Sequence, residues 1–175
     1  MKDSFSSIRV AASVCALAGT FVFSGCASSS DSAVASPPNA SSSSDHAAAA
    51  QVEGRLHEIF DAAAKQDMPR LDSYHLYGPA FTKFAGEHPP RLDADAARAG
   101  EHQGLSAISN LSMKADDLKI DVFGQTAIAT FLLNYSFNLA TNTVQKNDRT
   151  TLVFVKDRGQ WKIVHEHLSP YKSGP

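Results

Sequence analysis

The sequence predicts an α+β domain with helices first and an antiparallel sheet after them. Apolar residues recur at helical spacing in the first half of the domain and switch to alternation after Asn110. The second half then holds four consecutive runs rich in β-branched and aromatic residues, separated by tight-turn signals. Strands joined by tight turns pair antiparallel, and helices gathered at one end of the chain cover one face of such a sheet.

Each element has its own justification. In "AAAAQVEGRLHEIFDAAAKQDM", Val52, Leu56, Ile59, Phe60 and Ala63 form one apolar stripe with charges between them, which is an amphipathic helix; Pro69 either ends it or starts the next. "PRLDSYHLYG" is a short second helix stopped by Gly78 and Pro79, and "AFTKFAG" is a short strand. Asp93 or Asp95 supplies the N-cap of a third helix that runs to Ile108. Gly100 and Gly104 leave one face of that helix bare, which either lets it approach the sheet closely or weakens it. "LSMKADDLKIDVF" and "QTAIATFLLNYSFNLA" are the first two long strands, and Asn142 marks the turn after them. "VQKNDRTTLVFVKD" is expected to be buried on both faces where it becomes apolar, with "KNDR" as loop before it. Arg158–Gly159 is a hairpin turn into the closing strand, "QWKIVHEHLSP".

Ahead of the domain, a basic start with Lys2 and Arg9, a short apolar run and the small residues of "SGC" make a secretory signal. "FSGC", Phe23 to Cys26, resembles the bacterial lipobox, which implies a signal peptide over 1–25 and a lipid on Cys26; a plain secreted protein is the alternative. Ala27 after the cysteine then points to the outer membrane, facing the periplasm. Residues 26–46 are Ser-, Ala- and Pro-rich and lack the apolar area to offset their ordering entropy, so they read as a tether, with the folded domain over 47–175. Once Cys15 leaves with the signal, Cys26 is the only thiol and no intramolecular disulfide is possible. With 18 acidic residues against 16 lysines and arginines and no basic run, nucleic acid is excluded as a partner.

"RTTLVFVKDRGQWKIVHEHLS" resembles the closing hairpin of SnoaL-like proteins of the nuclear transport factor 2-like superfamily: an apolar strand, a turn with glycine, then Trp161, Ile163, Val164, His165, His167 and Ser169. "IDVFGQTAIATFLLNYSF" resembles the hairpin before it. The resemblance implies a cone, with helices on the concave face of a strongly curved antiparallel sheet, a pocket at the wide end and a homodimer on the convex face. The same scaffold serves isomerases, dehydratases, cyclases and binding or assembly modules, so fold does not settle function.

Residues two apart in a strand share a face. Strict alternation puts Trp161, Ile163, His165, His167 and Ser169 toward the pocket and turns Lys162, Val164, Glu166 and Leu168 away. On this reading His167, with His165 or Tyr74 helping, is the candidate general acid or base, since imidazole titrates near neutral pH and a phenol can donate to a developing oxyanion. Tyr77, Glu101, Asp121, Tyr135, Arg149, Trp161 and Ser169 are candidate ligand contacts, and His75 is a further polar candidate. For each of these, packing or simple contact is the competing role. His165 and His167 offer two metal ligands where three or four are needed, so neither a metal nor another cofactor is expected. Three functions follow: binding of a small, largely apolar molecule without turnover; cofactor-independent isomerisation, dehydration or cyclisation by proton transfer; and a homodimeric interaction module of the cell envelope. Binding ranks first because no complete catalytic set is visible.

Overall fold

The computed structural model describes residues 43–86 and 90–172. The signal segment, Cys26 and most of the expected tether lie outside the described residues, as does His88. The helical elements are α1 (Ser43–Ala64), α2 (Met68–Ser73) and α3 (Ala94–Ser106). The strands are β1 (Thr82–Ala85), β2 (Ser109–Phe123), β3 (Thr126–Leu139), β4 (Asn142–Asp157) and β5 (Gln160–Pro170). Helix α1 therefore begins inside the stretch assigned to the tether. No described helix is long and apolar enough to cross a membrane.

The five strands form one sheet in the order β1-β5-β4-β3-β2. The meander β2 to β5 is antiparallel, as tight turns require, and the β4–β5 turn places Arg158 and Gly159 both at positive φ, the signature of a two-residue hairpin loop. Strand β1 departs from the antiparallel expectation. It pairs parallel with β5, which the long connection through α3 and strands β2 to β4 permits.

Helix α1 buries Val52, Leu56, Ile59, Ala62 and Ala63 against the inner face of the sheet. That face supplies Ala127, Ala129, Phe131 and Leu133 from β3, Leu152 and Phe154 from β4, and Trp161 and Ile163 from β5. Val153 and Val155 point the other way and are only half-buried, so β4 has one core face rather than two. Helix α3 is capped by Asp93, whose carboxylate accepts from the Ala96 N–H at 2.9 Å, but it buries only Ala97. A side-chain carbon at Gly100 or Gly104 would meet open space, so the two glycines weaken this helix rather than permit a close approach.

One irregularity redirects the last strand. Phe154 pairs with Ile163, whereas the preceding residue, Val153, pairs with His165, which leaves Val164 as a bulge. A one-residue insertion exchanges the faces of everything beyond it. Trp161 and Ile163 point into the core as alternation demands, but after Val164 it is Glu166 that points inward and is buried, while His165 and His167 stand on the outer face.

Candidate functional site

Strand β1 lies beside β5 with Lys83 opposite Glu166, and both face inward. The chain leaving α2 also runs along β5: Leu76 donates to the Ile163 carbonyl at 2.8 Å, Ile163 donates to the Tyr74 carbonyl at 2.9 Å, and His75 is thereby set beside the strand. Helix α3 brings Glu101 over the same spot.

The four ionisable groups form a continuous network. His75 Nε2 lies 2.8 Å from Glu166 Oε1, and its Nδ1 lies 3.0 Å from the Leu71 carbonyl. Both ring nitrogens face acceptors, so the network assigns a proton to each and makes the ring an imidazolium. The other Glu166 oxygen pairs with Lys83 Nζ, which also pairs with Glu101. Glu101 further accepts from the Tyr77 hydroxyl at 2.9 Å, and the Tyr77 ring stacks on His75 at 4.9 Å between centroids. Two cations and two anions thus satisfy one another in a place largely shut off from water.

These contacts fix the protonation states. Burial pulls the His75 imidazole down, but the Glu166 carboxylate outweighs it and the ring titrates above its ordinary value. Burial opposes the charge on Lys83 as well, and the Glu166 and Glu101 carboxylates hold it well above the usual range. Glu166 is pushed up by burial and more strongly down by Lys83 and His75, to well below the carboxylate range. Burial and the neighbouring Glu101 charge raise the Tyr77 phenol.

Below the network, between α1, α3 and the sheet, is a half-open pocket, or cavity, of about 230 Å³. Its walls are largely apolar, with Ile59, Leu71, Leu105, Met113, Leu133 and Phe137 prominent; His75, Lys83, Glu101 and Tyr135 supply polar lining. The Tyr135 hydroxyl donates to buried Asp148 at 2.9 Å, and burial and that carboxylate raise its titration. Lys83, Tyr135 and Leu168 also line an open outer recess of about 820 Å³.

His75, Glu101 and Glu166 bring three metal-type ligand atoms within 4.8 Å of one another. The Lys83 ammonium already bridges the two carboxylates, and His75 offers them a proton rather than a lone pair, so the donor set is that of an internal ion-pair network rather than a metal cage.

A model of the SnoaL-like domain family matches residues 52–172. The chain belongs to the SnoaL-like domain family. Among solved structures, a nuclear transport factor 2-like protein from Streptomyces avermitilis, described as a candidate dehydratase, is 20% identical, covers 73% of this chain and 99% of its own, and superposes with a TM-score of 0.67. A nuclear transport factor 2-like superfamily protein from Salmonella enterica serovar Typhimurium is 18% identical over 74% of this chain and 95% of its own, with a TM-score of 0.64. A protein with a cystatin-like fold from Caulobacter vibrioides is 15% identical over 70% and 89%, with a TM-score of 0.58. No curated protein matches. At these identities the likeness establishes the α+β fold, which agrees with the expected architecture.

Within this SnoaL-like domain, Glu101 and Tyr135 line the pocket, and Tyr77 is tied to it through its hydrogen bond to Glu101. The remaining expected residues lie elsewhere. His165 is beside the Thr82 hydroxyl at 2.8 Å, and His167 is exposed next to Phe84, both on the outer face; the bulge corrects their expected inward placement. Ser169 and Arg149 pair across the same outer face, and Arg149 sits 5.1 Å from the Tyr171 ring. "KNDR" is part of β4 rather than loop, since β4 starts at Asn142. Tyr74 is buried under α1, accepting from Arg70 Nε at 2.7 Å with Arg55 stacked 4.6 Å from its ring. Trp161 is core and donates to Gln51 at 3.3 Å. Asp121 is bound by Lys119 on strand β2, with about half its side chain exposed.

Sequence reasoning passed over Lys83, Asp148 and Glu166. Lys83 carried one usable signal, a lone cation between Phe81 and Phe84 in a short strand. Glu166 was turned away only by assuming unbroken alternation.

Proposed function

We propose that this domain holds a small, largely apolar molecule in the cavity beneath the Lys83 network and does not transform it. The observation that carries this reading is an apolar cavity whose polar rim is already charge-balanced. Lys83 is kept protonated, Glu166 is kept ionised and Tyr77 is kept neutral, so none of these three is poised to exchange a proton near neutral pH, and both ring nitrogens of His75 are already engaged by Glu166 and the Leu71 carbonyl. The test is native mass spectrometry of the chain after exposure to envelope lipid extract. A bound small molecule is expected, and it is expected to disappear in Leu133→Trp, which fills the cavity. An empty protein, or a ligand indifferent to Leu133→Trp, overturns the reading.

A second reading, proton-transfer catalysis, draws on the candidate dehydratase of S. avermitilis and on the cavity-facing pair His75 and Glu101. Deuterium entering a bound ketone next to its carbonyl, faster than in buffer and slowed by Glu101→Gln, would support it; no acceleration removes it. We place the domain in the cell envelope, tethered by a lipid on Cys26 and paired with a second copy through the outer sheet face around Val153 and Phe84. Membrane-fraction release by Cys26→Ser and sedimentation of the soluble domain check the two parts; a fully soluble wild type, or a strict monomer, removes the corresponding part.

A further inference from the structure

The network specifies the charge of the ligand as well as its place. This step rests on the binding reading above. An ammonium has three N–H groups, and the two carboxylates Glu101 and Glu166 engage two of those on Lys83. Lys83 lines both this pocket and the outer recess, and its third N–H is the one these carboxylates do not take up. Tyr135 has its hydroxyl hydrogen directed to Asp148, which leaves oxygen lone pairs, not a proton, for anything in the cavity.

The surrounding charges are already matched. His75 and Lys83 are opposed by Glu101 and Glu166 within the network, and the Asp148 carboxylate is held behind Tyr135. A carboxylate entering this space would lose its water and meet two carboxylates competing for the same lysine. An ammonium would lose its water and meet two fixed cations, His75 and Lys83, beside a Glu101 carboxylate already engaged by Lys83 and Tyr77. A neutral oxygen acceptor needs only the spare lysine N–H, while its carbon frame takes the apolar wall.

We infer that the ligand is uncharged and places a single carbonyl or hydroxyl oxygen against Lys83, with an apolar body filling the space lined by Leu71, Met113, Leu133 and Phe137. Charge, rather than shape, is the feature by which the site refuses competitors.

The experiment compares three probes of matched size on the intact domain at pH 7.5: 2-heptanone, hexanoate and hexylammonium, titrated by calorimetry at low and high salt. 2-Heptanone is expected to bind at least about tenfold more tightly than either ion, and its advantage is expected to persist in salt, because it reflects desolvation rather than long-range attraction. Carbon-13-edited infrared spectroscopy of bound 2-heptanone is expected to show the carbonyl stretch shifted down, as for a donor-bound carbonyl. Lys83→Arg keeps the cation and moves the N–H groups, so it is expected to change that frequency. An ion that binds as tightly as the ketone, a carbonyl vibrating as it does in hexane, or a frequency unmoved in folded Lys83→Arg overturns the inference and leaves the cavity reading standing. Binding by none of the three, with the lipid-extract experiment also empty, overturns both.

Discussion

Helices α1 and α3 cover the same sheet and are held to it by different physics. Helix α1 offers five buried apolar residues to the core. Helix α3 buries only Ala97 and is fastened by polar contacts: Asp72 to Arg98 and His102, Glu101 to Lys83 and Tyr77, and the Gln66 amide to the Leu105 and Ile108 carbonyls. Apolar contacts are indifferent to pH and nearly so to salt, whereas ion pairs answer to both. One wall of the cavity is therefore part of the folding core, and the other is an electrostatic attachment that also carries the site's Glu101.

The largest break in this contrast is expected from Leu56→Ala, which deletes fully buried side-chain volume in α1 and should cost about 2–5 kcal/mol of global stability. Urea unfolding measures it, and the loss should be the same at pH 6 and pH 9. The next effect is pH-dependent. His75 titrates above 6.5 in the folded chain, so its stabilisation is complete below pH 6.5 and is lost as pH rises through the folded value. Glu166 behaves in the opposite sense: its stabilisation is complete above 4.5 and is lost as pH falls toward its depressed value. His75→Gln should cost roughly 1.5–3 kcal/mol at pH 6, the worth of a hydrogen bond to a charged group, and progressively less at alkaline pH. A pH-independent cost would refute the ion-pair assignment. The smallest effect is expected from Asp72→Asn. Its partners Arg98 and His102 have side chains 52% and 35% exposed, so about 0.2–1 kcal/mol is at stake. Hydrogen exchange should accelerate in α3 and not in α1; equal acceleration in both would show that α3 belongs to the cooperative core after all.

Much of the fold was legible because it depends on local periodicity. The stripe of Val52, Leu56, Ile59 and Ala63, the Asp93 cap and the Arg158–Gly159 turn each follow from a few adjacent residues. The site was half legible. Tyr77, Glu101 and Tyr135 could be singled out as polar residues near predicted core, but Lys83, the cation that pairs with Glu101, came from a four-residue strand whose neighbour was unknown.

By itself the sequence determined which segments are helix and strand, their order, and the apolar stripe that welds α1 to the sheet, because those properties are set by side chains within one or two turns of each other. Only the tertiary structure decided that Glu166, and not His165 or His167, points inward to join the buried His75–Lys83 network. The physical reason is the bulge at Val164, an extra residue defined by the register of β5 against β4, and a strand cannot display in its own alternation the place where its neighbour skips a residue.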